Sequence, residues 1–300
     1  MGRSQPIDIV YAKVKHEDPR AEESTVMDSP QHLLELEPLY AIRPLYLELV
    51  AVVGHFFSIQ PAIHLISAAS MFGIGLLVLF WTRKPLQAGL LMAFYPLTTI
   101  AREGGPDAIS ALFSLCALWL IDAFGQYWVA LGVLFISLGL RTDNLLLLLV
   151  VLAWLVWEKR LALWVAGLLG ALGLGIVLGI NHWAGNYGWI VLFRYSFIGG
   201  KYPAHLPHTL TIREYLHGVA AGFPLILTQY AIWILIGLWA WIRKPHPLLL
   251  VAGAAVFAHF LLFPSPEVRY LLWAGILASI LLIRSFDFEP ATVHLQGQPG

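Results

Sequence analysis

The run "LALWVAGLLGALGLGIVLGI", residues 161–180, carries no charged side chain, and it constrains the chain more than any other feature. An α-helix needs about 20 apolar residues to cross the hydrocarbon of a bilayer. In that solvent every backbone N–H and C=O must find its partner inside the segment, so a spanning helix is the natural solution. A second run, "MFGIGLLVLFW", repeats the pattern upstream. The composition agrees. The 300 residues are 59% hydrophobic and 12% charged, whereas a soluble domain carries about 25% charged residues. Twelve Trp and eleven Tyr suit the interfacial belts of a membrane protein. The chain therefore reads as all-α, a polytopic transmembrane helical bundle whose partner is the lipid bilayer. A formal net charge of zero argues against a nucleic-acid surface. The single cysteine, Cys116, lies in an apolar run, so no disulfide framework exists and a small core residue is the simplest reading.

Three zones follow along the chain. Residues 1–44 are polar, rich in Glu, Asp and Pro, and contain no apolar signal-peptide core. Residues 45–283 form the expected bundle, interrupted at 184–221 by an aromatic, basic and His-containing loop. Residues 284–300 are a polar tail with the composition of a disordered cytoplasmic segment. Candidate spans are 61–81, 86–101, 106–121, 127–140, 145–157, 161–182, 222–242, 247–263 and 267–283, about nine in all. Spans 127–140 and 145–157 each cover roughly 20 Å at 1.5 Å per residue and come as a pair. Segment 45–57, "LYLELVAVVGHFF", is too short to span, carries Glu48 and His55, and reads as an interfacial helix.

With that count, one set of loops holds Arg83-Lys84, Lys159-Arg160, Arg243-Lys244 and Arg284 in tight clusters. The other set holds Arg102, Arg141, Arg194, Lys201, Arg213 and Arg269, scattered and mostly beside acids. The clustered set is placed in the cytoplasm by the positive-inside rule. The polar first 44 residues then lie outside with nothing to carry them across. A missing first transmembrane helix is one way to reconcile this, and a different topology is another.

Polar residues at the ends of apolar helices are usually functional or paired, and here they gather on one side. The stretch "AREGGPDAIS" places Arg102, Glu103 and Asp107 around a Gly-Gly-Pro turn. "RTDN" brings Arg141 and Asp143, and "PEVRYLLW" brings Glu267, Arg269 and Tyr270, to the same side. Plain readings stand beside functional ones. Arg102 with Glu103 and Glu267 with Arg269 read equally as rim ion pairs. Asp107 reads equally as a first-turn acid favoured by the helix dipole. Arg141 and Asp143 read as a mutually neutralising pair or a cap. His205 and His208 give a His-x-x-His spacing, but Pro207 intervenes and no clear third ligand is present, so no metal site is assigned. His55, His182 and His259 read as buried or interfacial histidines without a special role.

In this setting the chain resembles the GT-C superfamily of polyprenyl-phosphate-dependent membrane glycosyltransferases, of the dolichyl-phosphate-mannose-protein mannosyltransferase type. The resemblance runs through "YAIRPLYLELVAVVGHFFSIQPAIHLISAASMFGIGLLVLFWTRKP", "AREGGPDAISALFSLCALWLI", "ISLGLRTDNLLLLL" and "PEVRYLLWAGILAS", covering roughly residues 40 to 283. It implies an enzyme of the cell envelope, integral to the plasma (inner) membrane and active on the non-cytoplasmic face. Such an enzyme moves a sugar from a polyprenyl-phosphate donor to an acceptor that the chain does not identify. A carboxylate serves as general base, because the acceptor hydroxyl sheds its proton as the bond forms. Cationic groups meet the charge growing on the leaving phosphate. Carried over by position, Glu103 or Asp107 is the acid of the second external loop. Asp8 in "IDIVYAKV" and Asp28 in "MDSPQHLLE" compete as the acid of the first. Arg102, Lys201, Arg213, Arg269 and Tyr270 are the expected substrate-binding residues. The cofactor is not fixed by the resemblance, which leaves a divalent cation open. Two other readings compete with the enzyme: a transporter or flippase, and an inactive, truncated GT-C-like scaffold. The span centres are nearly free of charge, which disfavours a transport path.

Overall fold

The computed structural model describes residues 30–199, 202–265 and 267–286. Among them the chain is helical, with no strand. The helices are α1 (Pro30–Ala41), α2 (Pro44–Phe57), α3 (Ile59–Thr82), α4 (Pro85–Met92), α5 (Tyr95–Glu103), α6 (Pro106–Phe124) and α7 (Tyr127–Leu140). They continue as α8 (Asn144–Trp157), α9 (Leu163–Trp183), α10 (Trp189–Phe193), α11 (Ile212–Arg243), α12 (Pro247–Leu262) and α13 (Leu272–Ser285). Proline sits in the first turn of α2, α4, α5, α6 and α12, where its missing N–H would be unpaired anyway and its fixed φ suits the helix.

Four helices, α3, α6, α9 and α11, are long and apolar enough to cross a membrane. A fifth is added if α1 and α2, bent by 102° at their junction, count as one broken span. Several further helices are apolar but only 14 to 16 residues long. At 1.5 Å per residue these cover about 21 to 24 Å, short of a 30 Å core. The expected nine spans therefore go beyond what these lengths establish. What the lengths do support is the membrane setting itself. α9 buries only Ala166 and Gly173 and exposes apolar side chains on the rest of its surface. That pattern is tolerable only where the surrounding solvent is apolar too.

The elements depart from expectation at four places. Segment 86–101 is not one span. Pro96 cannot donate to the carbonyl four residues back and its ring clashes there, so α4 stops at Met92 and α5 starts afresh. The loop expected to reach residue 221 ends at Thr211. There the Thr211 hydroxyl accepts from the Glu214 N–H at 3.3 Å, while the Glu214 carboxylate accepts from the Thr211 N–H at 2.8 Å. This capping box starts α11 at Ile212. Residues 30–41, expected within a polar loop, form α1. The last span opens with a 3-10 turn, Val268–Leu271, before α13.

At the centre, α6 packs on α3, α7 and α13, and α11 packs on α13. The core is built from fully buried leucines and isoleucines such as Ile74, Leu115, Leu118, Leu134, Leu148 and Ile280. Two polar features tie its ends. At the C-terminal end of α6, Asp122 accepts from Trp81 Nε1 at 2.8 Å and from Arg284, and lies 3.1 Å from His246 Nε2. One carboxylate thereby joins α3, α12 and α13 to α6. Near the opposite end, the Asn144 amide donates to Ser110 Oγ at 2.9 Å and to the Ser137 carbonyl at 3.1 Å. That contact locks α6, α7 and α8 together and fixes what stands above it.

Candidate functional site: a charged cavity at the helix ends

Glycine makes the approach to α6 possible. Gly104 has φ of 57°, and a Cβ there would lie 2.5 Å from Ile63 Cγ2. The chain turns at this point against α3 and delivers Pro106 and Asp107 into the first turn of α6. A carboxylate is favoured at such a helix start by the dipole and the free N–H groups. Across from it, α7 ends at Leu140 and α8 begins at Asn144, which leaves Arg141 and Asp143 in the short link.

Arg141 is 7% exposed and answers both acids. Its Nε and Nη2 donate to the two Asp143 oxygens at 3.0 and 2.7 Å, a forked pair, and its Nη1 donates to Asp107 Oδ1. Burial would discourage the Arg141 charge, but Asp143 and then Asp107 outweigh that and hold its pKa above the ordinary value. Burial likewise opposes the Asp143 carboxylate, and the Arg141 guanidinium reverses this, keeping its pKa below the usual carboxylate range. The Arg141 guanidinium carbon stands 4.6 Å from the centre of the Tyr270 ring, and that of Arg269 stands 5.3 Å from the same ring. Both distances suit cation–π contact. Arg269 also pairs with Glu267. The Glu267 carbonyl accepts from the Tyr230 hydroxyl of α11, which anchors this segment.

Asp107, Arg141, Asp143, Arg269 and Tyr270 line a cavity of about 720 Å³ whose walls come from α1, α2, α6, α8, α9, α12 and the 188–196 segment. Its polar complement is not saturated. Asp107 Oδ2 has no hydrogen-bond partner among the described residues. The Arg43 side chain makes neither a hydrogen bond nor an ion pair among them, and its guanidinium carbon stands 5.7 Å from the centre of the Tyr40 ring. Burial first, then the Arg141 charge, pushes the Arg43 pKa down, against the opposing pull of Asp107 and Asp143. The Tyr46 hydroxyl and His259 Nε2 are both buried and without a hydrogen-bond partner among the described residues. His259 Nδ1 lies 3.7 Å from Asp143 Oδ2, beyond hydrogen-bonding distance.

Of the residues expected to form the site, Asp107, Arg269 and Tyr270 meet in this cavity. Arg102 is exposed on α5 and does not line it; its carbonyl faces His64 Nδ1 at 2.8 Å. Glu103 closes α5. Arg213 is exposed in the first turn of α11, away from the lining. Arg194, a further cation of the long loop, is engaged by the Thr209 carbonyl at 2.6 Å and by Glu214 at 2.7 Å. Asp8, Asp28 and Lys201 lie outside the described residues. Sequence reasoning passed over Arg43, Tyr46 and His259 as site residues. A signal for His259 existed: it is the one titratable group of "PLLLVAGAAVFAHFLL", and such a residue in an apolar helix points to function.

Among the described residues no group of three His, Cys, Asp or Glu side chains could hold a metal ion. Asp107 and Asp143, the two acids of the cavity among the described residues, share one guanidinium, so these two do not by themselves fit a divalent cation. The cavity gathers one carboxylate oxygen without a hydrogen-bond partner among the described residues with the Arg43 guanidinium, the Tyr46 hydroxyl and the His259 imidazole. Comparison with protein-family models, with curated proteins and with solved structures yields no match.

Proposed function

We propose that this protein is a membrane glycosyltransferase of the GT-C type, carrying about nine spans and an interfacial helix. In this reading it passes a sugar from a polyprenyl-phosphate donor to an acceptor on the non-cytoplasmic face of the plasma membrane. The observation that carries the reading is Asp107: a carboxylate held by Arg141 through one oxygen, with its second oxygen free, in a cavity of about 720 Å³ that also holds unpaired cationic and hydroxyl groups. Acid and cations at one end of an apolar bundle suit surface chemistry on a lipid-borne substrate.

The reaction balances with these groups. The acceptor hydroxyl gives its proton to Asp107 Oδ2 while its oxygen bonds to the anomeric carbon of the sugar. The bond from that carbon to the phosphate oxygen breaks, and its electron pair leaves with the lipid phosphate, whose new charge is met by cavity donors. Arg141 holds Asp107 in place through the other carboxylate oxygen. Arg269 and Tyr270 stand at the rim as binding residues, with Glu103 as an alternative acid one turn away in sequence.

The test is a transfer assay on the full chain with a panel of polyprenyl-phosphate sugars. Asp107→Asn keeps the size and a hydrogen bond to Arg141 but cannot take a proton. A loss of about 10²–10⁴-fold in transfer is expected, the usual weight of a general base. Protein level and helix content should stay normal, because Asp143 still pairs with Arg141. Glu103→Gln is the parallel variant. Undiminished transfer by both, and by the double variant, would remove these acids from the chemistry.

A further inference from the structure

The geometry points to a binding site for one anionic phospholipid in an apolar cleft between α11, α12 and α13, with an acyl chain between the helices and the headgroup at Arg243 and Lys244. The lipid comes from the leaflet that adjoins the Asp122 end of the bundle, away from the charged cavity. The site therefore stands independently of the transferase reading.

Helices α11 and α12 follow one another in the chain, yet they scarcely touch, and α11 packs instead on α13. The space left between them is a cavity of about 330 Å³. Small residues keep it open. Gly237, Gly253 and Ala278 line it, and a Cβ added at Gly253 would meet nothing within 4 Å. Ile234, Leu238 and Leu250 also line it and are exposed, so the cleft opens sideways to the hydrocarbon of the membrane. Along α11 the lining runs from Ile226 to Trp241, about 22 Å at 1.5 Å per residue. One leaflet contributes about half of a 30 Å hydrocarbon core, so the cleft takes one acyl chain lengthwise.

In a bilayer, burying apolar surface between helices gains little, because lipid tails are as apolar as leucine. Lasting occupancy by one kind of lipid needs two other things. The first is contact: an unfilled space forfeits dispersion on every atom that lines it, and a chain restores it. The second is a charge that recognises the headgroup, and the link from α11 to α12 supplies it. Arg243 and Lys244 are exposed two and three residues beyond Trp241. The Arg243 guanidinium stands 4.6 Å from the centre of the Phe286 ring, and neither cation makes an ion pair among the described residues. Arg284 and His246, at the same end, are instead engaged by Asp122.

The polarity of the lining sets the direction of the lipid. Tyr230, His259 and Ser265 lie toward the far end, where His259 and Phe263 also border the charged cavity. Beside the two cations the lining is apolar. A phosphodiester headgroup is met at the link, and its chain rises past Trp241, Leu238 and Trp233. Basic groups beside a gap between transmembrane helices are suited to anionic headgroups in this way.

The test is native mass spectrometry of the detergent-solubilised full chain, titrated with phosphatidylglycerol or with phosphatidylcholine of the same acyl chains. One phosphatidylglycerol should be retained in preference to phosphatidylcholine. Arg243→Ala combined with Lys244→Ala should weaken phosphatidylglycerol binding about tenfold or more and abolish the preference, as expected when two basic residues leave a headgroup. Gly253→Leu grows a side chain into the open cleft and should weaken both lipids about tenfold. Lys159→Ala combined with Arg160→Ala removes another exposed basic pair and should bind as the wild type does. The site is overturned if the two lipids bind the wild type alike, or if Gly253→Leu or the Arg243 and Lys244 variant binds phosphatidylglycerol unchanged. Equal loss in the Lys159 and Arg160 variant would overturn it in favour of general surface charge. Competition by farnesyl phosphate would overturn it in favour of an isoprenoid ligand, and a lipid-free dimer in favour of a second copy of the chain. Transfer activity enters none of these outcomes, so failure of the transferase reading would leave the site standing, and the reverse holds too.

Discussion

With Asp107 on one side and Asp143 on the other, the Arg141 guanidinium answers two carboxylates with one charge in a place where water is scarce. Removing a partner from a buried ion pair strands the other and costs about 3–5 kcal/mol, whereas replacing the pair by apolar groups is often neutral. Arg141→Met strands both Asp107 and Asp143 and is therefore expected to destabilise the protein by roughly that amount. Asp107→Asn and Asp143→Asn added to it should restore much of the loss, as thermal unfolding in detergent would show. If the triple variant is no more stable than Arg141→Met, the ion pairs are not what holds this corner. The pH dependence has a definite sign. Asp143 has a depressed pKa in the folded protein, so its contribution is complete above the unfolded carboxylate value of about 3.9 and is lost as pH falls through the lower folded one. At this scale the sequence was partly legible. The two-residue spacing of Arg141 and Asp143 implied their pairing, but Asp107 lies far from them along the chain. Only the packing of α6 on α7 and α8 brings it to the same guanidinium.

Helix α6 is the element that the site depends on. Its first turn presents Asp107 and its last turn presents Asp122, about 22 Å away at 1.5 Å per residue. The turn into it requires Gly104, whose φ of 57° disfavours any other residue and whose missing side chain leaves room for Ile63. Gly104→Ala is expected to cost about 1–2 kcal/mol for the left-handed backbone, and more for the clash with Ile63 Cγ2. Ile63→Ala should relieve the clash and leave the backbone cost. A double-mutant cycle on thermal stability reads that coupling, and an additive result would show that Ile63 does not limit the turn. The helices themselves were mostly readable, because apolar run length and proline placement mark them directly. The breaks were harder. Pro96 divides a segment whose hydropathy is continuous. The capping box at Thr211 and Glu214 extends α11 into a stretch whose composition reads as loop. In both cases local backbone chemistry prevails over the average polarity of the surrounding sequence.

For the whole molecule, the arrangement of charge decides which way it sits. The cavity groups Asp107, Arg141, Asp143 and Arg269 gather at one end of α6, and the Asp122 cluster with Arg284 and His246 at the other. Arg83, Lys84, Lys159, Arg160, Arg243 and Lys244 sit in the connections that leave from the Asp122 end. The cavity's cations are largely offset by neighbouring acids, and the positive-inside rule weighs short, basic loops such as these connections most heavily. The basic end is expected to be cytoplasmic and the cavity to open on the opposite side. One native cysteine, Cys116, makes this easy to examine, since Cys116→Ala gives a clean background. Ser196→Cys beside the cavity should react with a membrane-impermeant maleimide added from outside intact cells or right-side-out vesicles. Gln126→Cys and Glu158→Cys, exposed in the α6–α7 and α8–α9 connections, should react only after the membrane is opened. The short helices α7 and α8 do not weaken the test. They run out and back as a pair, so whether they span fully or stop within the bilayer, the chain after them emerges on the same side. If Ser196→Cys and Gln126→Cys were labelled from one compartment, α6 would not cross the membrane. The cavity and the basic connections would then share a face, and chemistry confined to the non-cytoplasmic surface would have no structural basis.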